Sequence, residues 1–270
     1  MDLTVIENLS IDRIIKRGTA EIIEKDVDAI LLKDTVSKGV MLACDDAEKG
    51  MEILTRNIKE THPLLMISNP EIGRRAVDKF GYKESMECYQ LAYLSKELPK
   101  IYSKEPIIAY SKELPQINSI ELTKTYQKAA SETVDLNGAT GNQNMQPYGI
   151  LEYRVATMEN FPLISREYGL VSEDELKELI ERGNIIMGYK NGKAVGFVGE
   201  HLEGSIGLLQ VFEEYRRKGY GMALEAEMIR RTIKKGYIPF GQVVVDNTAS
   251  LELQRKLGLT RSEGTIFWMW

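Results

Sequence analysis

Val211-Phe212-Glu213-Glu214-Tyr215-Arg216-Arg217-Lys218-Gly219-Tyr220-Gly221-Met222 is the stretch from which the rest of the chain is best read. An apolar strand end passes through a basic, glycine-punctuated loop into the first turn of a helix. Gly219 and Gly221 lack a Cβ, so the backbone there can approach a ligand closely and take left-handed angles. At a helix start the N–H groups of Gly219 to Met222 have no intrahelical acceptor, and that position favours an anion. Arg216, Arg217 and Lys218 stand beside them, and such side chains hold phosphate through charge-assisted hydrogen bonds. A basic run by itself is usually a solvated surface. The Gly-x-Gly at this junction tips the reading to a pyrophosphate site. It is not a Walker loop, since Gly-x-x-x-x-Gly-Lys-Ser/Thr is absent, and the Rossmann spacing does not fit.

Upstream of the loop the pattern is that of an antiparallel meander. Residues 151–157 are predicted as a strand, and 158–168 and 172–182 as helices, the second opening on a capping-box pattern, Ser172 followed by Glu175. Residues 184–189 and 194–201 form two strands around Asn191-Gly192, a strong hairpin signal, and 205–212 form a third after Glu203-Gly204. Downstream, Met222, Ala226, Ile229 and Ile233 mark a helix over 221–235 that Gly236 stops. A strand over 238–246 follows, its Val243-Val244-Val245 run suggesting burial on both faces. A helix over 248–257 ends at Gly258, and 265–270 is a last strand. A helix between two neighbouring strands makes 205–246 a βαβ unit, so the fold class is α/β with a mixed, mostly antiparallel sheet.

The first half echoes this more weakly. Strands are predicted at 40–44, 64–68 and 86–94, and helices at 47–59 and 70–80, the latter closed by Gly81. Asn69 to Lys79-Phe80-Gly81-Tyr82 parallels Asn247 to Lys256-Leu257-Gly258-Leu259, both strand–Asn–helix–Gly units at nearly one spacing. We read a duplicated architecture. The first copy has Asp45-Asp46-Ala47-Glu48-Lys49-Gly50 where the second has its basic loop, and acids at a helix start repel phosphate. Domains are therefore expected at 1–115 and 150–270, with 116–149 as linker. Between them Ser95-Lys96-Glu97-Leu98-Pro99-Lys100-Ile101 recurs as Ser111-Lys112-Glu113-Leu114-Pro115-Gln116-Ile117. A helix is predicted over 123–136, and 137–147 has loop composition, a linker rather than a lid.

At 270 residues the chain is long enough for two domains of about 150 residues each. Hydrophobic residues at 43% and charged residues at 28% exclude a disordered, collagenous or membrane-bundle class. A net charge of −5 offers no global basic field for nucleic acid. The first residues lack the uninterrupted apolar run of a signal peptide, and no stretch has the length of a membrane span. A cytoplasmic protein is expected. Cys44 and Cys88 sit in predicted strands and are expected to be buried small hydrophobes. With only His62 and His201 beside them, a zinc site is not expected. His62 precedes Pro63 and is expected at the surface, while Trp268 and Trp270 are expected to pack in the last strand.

Arg216-x-x-Gly219-x-Gly221 after Leu209-Gln210-Val211 resembles the acyl-CoA signature of the GNAT superfamily of N-acyltransferases. Asn247-Thr248-Ala249-Ser250 and Arg255-Lys256-Leu257-Gly258-Leu259 resemble its second landmark, so the resemblance covers 151–270. Gly199-Glu200-His201, Glu203-Gly204-Ser205 and the tandem layout are similar to the glycine N-acyltransferase-like branch, with a degenerate first lobe. The resemblance implies that Val211 and Phe212 offer backbone groups to the pantetheine arm of acetyl-CoA or another acyl-CoA. Arg216, Arg217, Lys218, Gly219, Tyr220, Gly221 and Met222 would hold the pyrophosphate, and Asn247 and Ser250 would line the far side.

A small amine or amino acid would attack the thioester, the oxyanion being held by a backbone N–H near Val211 or Phe212. The superfamily's usual thiolate-protonating Tyr position is Gln254 here, which cannot act as an acid. Glu200 and His201 are the candidate bases, with a surface rim as their alternative, and Glu213 more simply starts the loop. Neither nucleic acid nor membrane is expected as a partner. The alternatives are a CoA sensor or scaffold without catalysis, and a nucleotide-phosphate binder. The second is disfavoured because no Mg²⁺-ligating Ser or Thr follows the loop.

Overall fold

A computed structural model describes residues 2–58, 63–95, 97–99 and 151–270. It is a mixed α/β fold in two compact units. The first comprises Met1–Leu94, Leu202–Ser205 and Phe240–Trp270, the second Ser95–His201 and Ile206–Pro239. The expected split at residue 150 is thus corrected, and backbone pairing is the reason. The chain's last strand inserts into the sheet of the first unit rather than closing the second.

In the first unit α1 (Leu9–Arg17) precedes strands β1 (Ala20–Lys25), β2 (Ala29–Asp34) and β3 (Val40–Cys44). Helix α2 (Ala47–Asn57) leads to β4 (Leu65–Ile67), and α3 (Pro70–Phe80) leads to β5 (Ser85–Ala92). The unit's C-terminal part supplies β10 (Phe240–Val244), α7 (Thr248–Lys256), β11 (Thr260–Arg261) and β12 (Ile266–Met269). The sheet order is β1-β2-β3-β4-β12-β5-β10, with β11 also on β5. Among the described strands of this unit only β3 and β4 run parallel, Met41 facing Met66, because α2 crosses between them.

Both faces of this sheet are buried, which is why β2 and β3 are apolar without alternation. Leu31, Leu42, Ile67 and Phe267 pack with Ile53, Leu54 and Ile72 of α2 and α3. Ile30, Leu32, Met41, Met66 and Trp268 pack on the other side with Ile11 and Ile14 of α1. A polar network fixes the register of β12. Trp268 Nε1 donates to Gln242 Oε1 at 2.7 Å, and Gln242 Nε2 donates to Ser10 Oγ at 3.0 Å and Gln90 Oε1 at 3.1 Å. Sliding β12 by one residue would strand these buried groups, so a single register is specified. Gly73 lets α3 lie on β12, since a Cβ there would stand 2.5 Å from Phe267 Cγ.

The second unit is a four-stranded antiparallel meander, β6 (Glu152–Val155), β7 (Ile185–Lys190), β8 (Lys193–Glu200) and β9 (Ile206–Val211), in that order. The β7–β8 turn takes positive φ at both centres, 51° at Asn191 and 76° at Gly192, as the Asn-Gly dipeptide requires. Helices α4 (Phe161–Glu167) and α5 (Glu173–Glu181) join β6 to β7, and Ser172 caps α5 by accepting the Glu175 N–H at 3.2 Å. Helix α6 (Tyr220–Lys234) packs on β8 and β9. Gly188 admits it, since a Cβ there would lie 2.8 Å from Leu224 Cδ2.

Most predicted elements are present within a residue or two. Helix α1 and strands β1, β2 and β11 were not foreseen. Val243 is buried but Val244 is 37% exposed, so the valine run is not buried on both faces. Cys44 and Cys88 are buried as expected, and burial pushes the Cys88 thiol up to about 12. Trp268 is in the core, while Trp270 is half exposed. His62, the second Ser-Lys-Glu-Leu-Pro copy, the helix over 123–136 and the loop over 137–147 lie outside the described residues.

Candidate active site on the β9–α6 face of the second unit

Strand β9 carries an irregularity that shapes everything after it. Gly207 faces Gly199 and Gln210 faces Phe197, so Leu208 and Leu209 together stand opposite Val198. Leu208 has φ 50°, a left-handed angle that a leucine adopts only when its surroundings impose it. The strand then regains its partner. Val211 faces Gly196, and the Phe212 N–H donates to Val195 O at 3.0 Å. Gly196 makes this close approach possible, because a Cβ there would fall 2.3 Å from Gln210 O. Of the backbone N–H groups expected to hold the oxyanion near Val211 or Phe212, that of Phe212 is therefore already engaged. The Phe212 N–H is committed to β8, and the backbone released from that pairing is at Leu208.

After Phe212 a 3-10 turn (Glu213–Tyr215) delivers the three cations. All of Arg216, Arg217 and Lys218 are exposed. Arg216 Nε donates to Val211 O at 3.1 Å, which anchors the guanidinium at the strand end. Lys218 Nζ donates to Glu214 O at 2.8 Å and lies 5.4 Å from the Tyr215 ring centre. Arg217 takes φ 63° and Gly219 φ 79°, and the chain then enters α6 without a side-chain cap. The first intrahelical bond runs from the Ala223 N–H to Gly219 O at 3.2 Å. The N–H groups of Tyr220, Gly221 and Met222 thus point out of the helix start. Exposed cations, two left-handed residues and an uncapped helix N-terminus are what an anionic group such as a pyrophosphate would need.

Asn247 and Ser250 belong to the first unit. There the Asn247 side chain caps α7, its Oδ1 accepting the Ser250 N–H at 3.1 Å. Gln254 is buried. Asn69 caps α3 in the same way, accepting from the Glu71 N–H at 2.9 Å, and Gly81 and Gly258 end their helices at φ 67° and 85°. Shared capping chemistry therefore explains the strand–Asn–helix–Gly echo without any shared ligand.

Glu200 and His201 fall at the other end of β8. Glu200 faces Ile206, five residues along β9 from Val211, about 16 Å at strand spacing. Glu200 is 4% exposed, and its carboxylate accepts from Thr232 Oγ1 at 2.7 Å and Lys235 Nζ at 2.5 Å, tying β8 to α6. A carboxylate so engaged is a structural ion pair, and the rim reading of Glu200 is equally set aside. His201 lies nearer the bulge. Its ring covers Gly207, where a Cβ would stand 2.5 Å from Nε2, and its Nδ1 is 4.0 Å from Glu175 Oε1 of α5. Among the described residues no group of three or more His, Cys, Asp or Glu could hold a metal ion, and no helix is long and apolar enough to cross a membrane.

This mixed sheet flanked by helices is the GNAT fold. Residues 185–268 match the FR47-like protein family. A Drosophila protein of solved structure superposes with a TM-score of 0.54 at 17% identity, over 89% of this chain and 72% of that one. A GCN5-related N-acetyltransferase from Kribbella flavida superposes with a TM-score of 0.52 at 11% identity, over 98% and 93%. At such identities the likeness is one of fold. No curated protein matches the chain in sequence.

Proposed function

We propose that the second unit transfers an acyl group, acetyl in the simplest case, from acyl-CoA to the amine of a small molecule or amino acid. One observation carries this reading: the uncapped start of α6, with left-handed Arg217 and Gly219 and three exposed cations, directly follows a bulged strand. The pyrophosphate would rest on the Gly219 to Met222 N–H groups, with Arg216, Arg217 and Lys218 around it, and the pantetheine arm would run back along β9 from Val211.

The amine nitrogen attacks the thioester carbon, a C–N bond forms, and the C–S bond breaks. The oxygen that gains charge needs a preorganised donor. Leu208, whose backbone is out of register with β8, takes that role in place of Phe212. His201 is the candidate to receive the amine proton, since Glu200 is held by Thr232 and Lys235. Placement in the glycine N-acyltransferase-like branch, with a degenerate first lobe, and a cytoplasmic location belong to the same reading. The branch and its degenerate lobe are supported by the sequence resemblance alone, and the location by composition and cysteine usage.

Isothermal calorimetry with acetyl-CoA tests the binding half, for which micromolar affinity or better is expected. Absence of heat exchange would sink the reading. Thiol release in the presence of a panel of small amines tests the transfer half. Gln254 at the place of the usual acid favours a second reading, a CoA-binding sensor, which predicts binding without thiol release across the panel.

A further inference from the structure

Glu175 is a carboxylate to which the acyl-transfer reading assigns no task. It stands in the first turn of α5, where its N–H donates to Ser172 Oγ at 3.2 Å, so the helix cap fixes its backbone. Its Oε1 lies 4.0 Å from Nδ1 of His201, just past the end of β8. That end of the strand is fixed as well. The Glu200 N–H donates to Asn184 O at 3.0 Å, and Asn184 Nδ2 donates back to Glu200 O at 3.2 Å. The imidazole is seated on β9. A Cβ at Gly207 would stand 2.5 Å from His201 Nε2 and 2.7 Å from Cδ2, so the Nε2 edge lies against the residue before Leu208. The two side chains are 26% and 33% exposed, and a charge interaction partly shielded from water keeps more of its strength. The ring thus turns Nδ1 towards a carboxylate and Nε2 towards the bulge. An ionised carboxylate only accepts, so the nitrogen beside it carries the proton and the other the lone pair.

We propose that Glu175 is a positioning residue that sets the tautomer of His201, with the proton on Nδ1, so that Nε2 receives the proton of the acceptor amine. This rests on the acyl-CoA reading and on His201 as its base. As the amine nitrogen bonds to the thioester carbon, its proton passes to Nε2, the C–S bond breaks, and CoA leaves as the thiolate. The imidazolium so formed lies beside the Glu175 charge and later returns the proton from Nε2 to solvent. The carboxylate therefore acts twice, first on the neutral ring and then on the charged one. A separation of 4.0 Å is ion-pair range and longer than a hydrogen bond. Catalytic contacts of this kind are often long in a free protein and tighten when substrate fills the site. The neighbouring acids are spoken for. Glu173 and Asp174 lie against Lys177, and Thr232 and Lys235 hold the carboxylate of Glu200.

Labelling with ¹⁵N-histidine shows only two imidazoles, His62 and His201, and His201→Gln assigns the second. In a neutral ring the protonated and unprotonated nitrogens resonate far apart, so a spectrum taken where the ring is neutral reads the tautomer directly. The parent protein should carry the His201 proton on Nδ1, and Glu175→Ala should move it to Nε2. In thiol-release assays with acetyl-CoA and a panel of small amines, kcat of Glu175→Ala should fall about tenfold, while KM for acetyl-CoA changes less than about threefold. A ring protonated on Nε2 in the parent, or a tautomer that the variant leaves unchanged, overturns the proposal and leaves the acyl-CoA reading standing. An unchanged kcat overturns it in the same way. Should the variant not fold, the parent spectrum decides alone. If the parent binds no acetyl-CoA, or binds it without releasing thiol, the acyl-transfer reading falls and the proposal with it.

Discussion

Two strand-to-helix junctions of this chain, β3 to α2 and β9 to α6, have first turns prepared for opposite partners. At α2 the Asp46 carboxylate accepts the Lys49 N–H at 2.8 Å, Glu48 follows in the first turn, and the Cys44 thiol donates to Asp46 O at 3.2 Å. The helix start is satisfied from within and already negative. At α6 a left-handed glycine stands at the cap position, no side chain reaches back, and three exposed cations precede it. A strand–helix junction thus becomes an anion seat or a closed joint according to its cap. The surrounding architecture does not decide it.

The sharpest way to break this contrast is to give α6 the chemistry of α2. Gly221→Asp places a carboxylate among the open N–H groups, and acetyl-CoA affinity by calorimetry should fall about 100-fold, the loss of two tenfold steps. An unchanged dissociation constant would mean that the phosphates lie elsewhere. Arg216→Glu reverses one exposed charge, and its Nε no longer holds Val211 O, so about a tenfold loss is expected in the same titration.

The converse change sharpens the contrast. Asp46→Ala should lower the stability of the first unit by about 1 kcal/mol, seen as a melting point a few degrees lower. It should confer no binding at α2, since the cations there, Lys49 and Arg75, are already paired with Asp26, Asp28 and Glu48. Salt gives a smaller effect: raising NaCl from about 0.05 to 0.5 M should weaken acetyl-CoA binding several-fold at α6, where the charges are exposed. Smallest of all, Cys44 and Cys88 should stay unreactive toward a disulfide reagent at pH 8 until the protein is unfolded. Burial comes first among the causes that raise both thiols.

Local chemistry was legible in the sequence where a residue type can act in only one way. The bounds of β3 and α3 were readable to the residue, the latter because Asn69, Pro70 and Gly81 punctuate it. Asn191-Gly192 and the Gly219 cap were readable for the same reason. Helix α1 was missed because its buried face includes Ser10 and Arg13 as well as Leu9, Ile11 and Ile14, which blurs the apolar period. The assignment of β10 and β12 was invisible in principle. Periodicity identifies a strand, whereas pairing with β4 or β5 is a contact between distant residues.

The candidate site divides along the same line. The cation loop is a contiguous motif and announces itself. The bulge does not, because a leucine at φ 50° leaves no trace in composition. Glu200 seemed available because its partners Thr232 and Lys235 lie a whole helix away.

The placement of β12 between β4 and β5 also bears on how the protein is made. Until residues 266–269 have left the ribosome, β4 and β5 each present an open edge, and Phe267 and Trp268 are missing from the two layers they fill. The first unit therefore begins to be synthesised before the second and is finished after it. Through most of translation those edges are open to pairing with other strands. A premature stop anywhere before Ile266 would damage the part of the chain most distant from it in sequence.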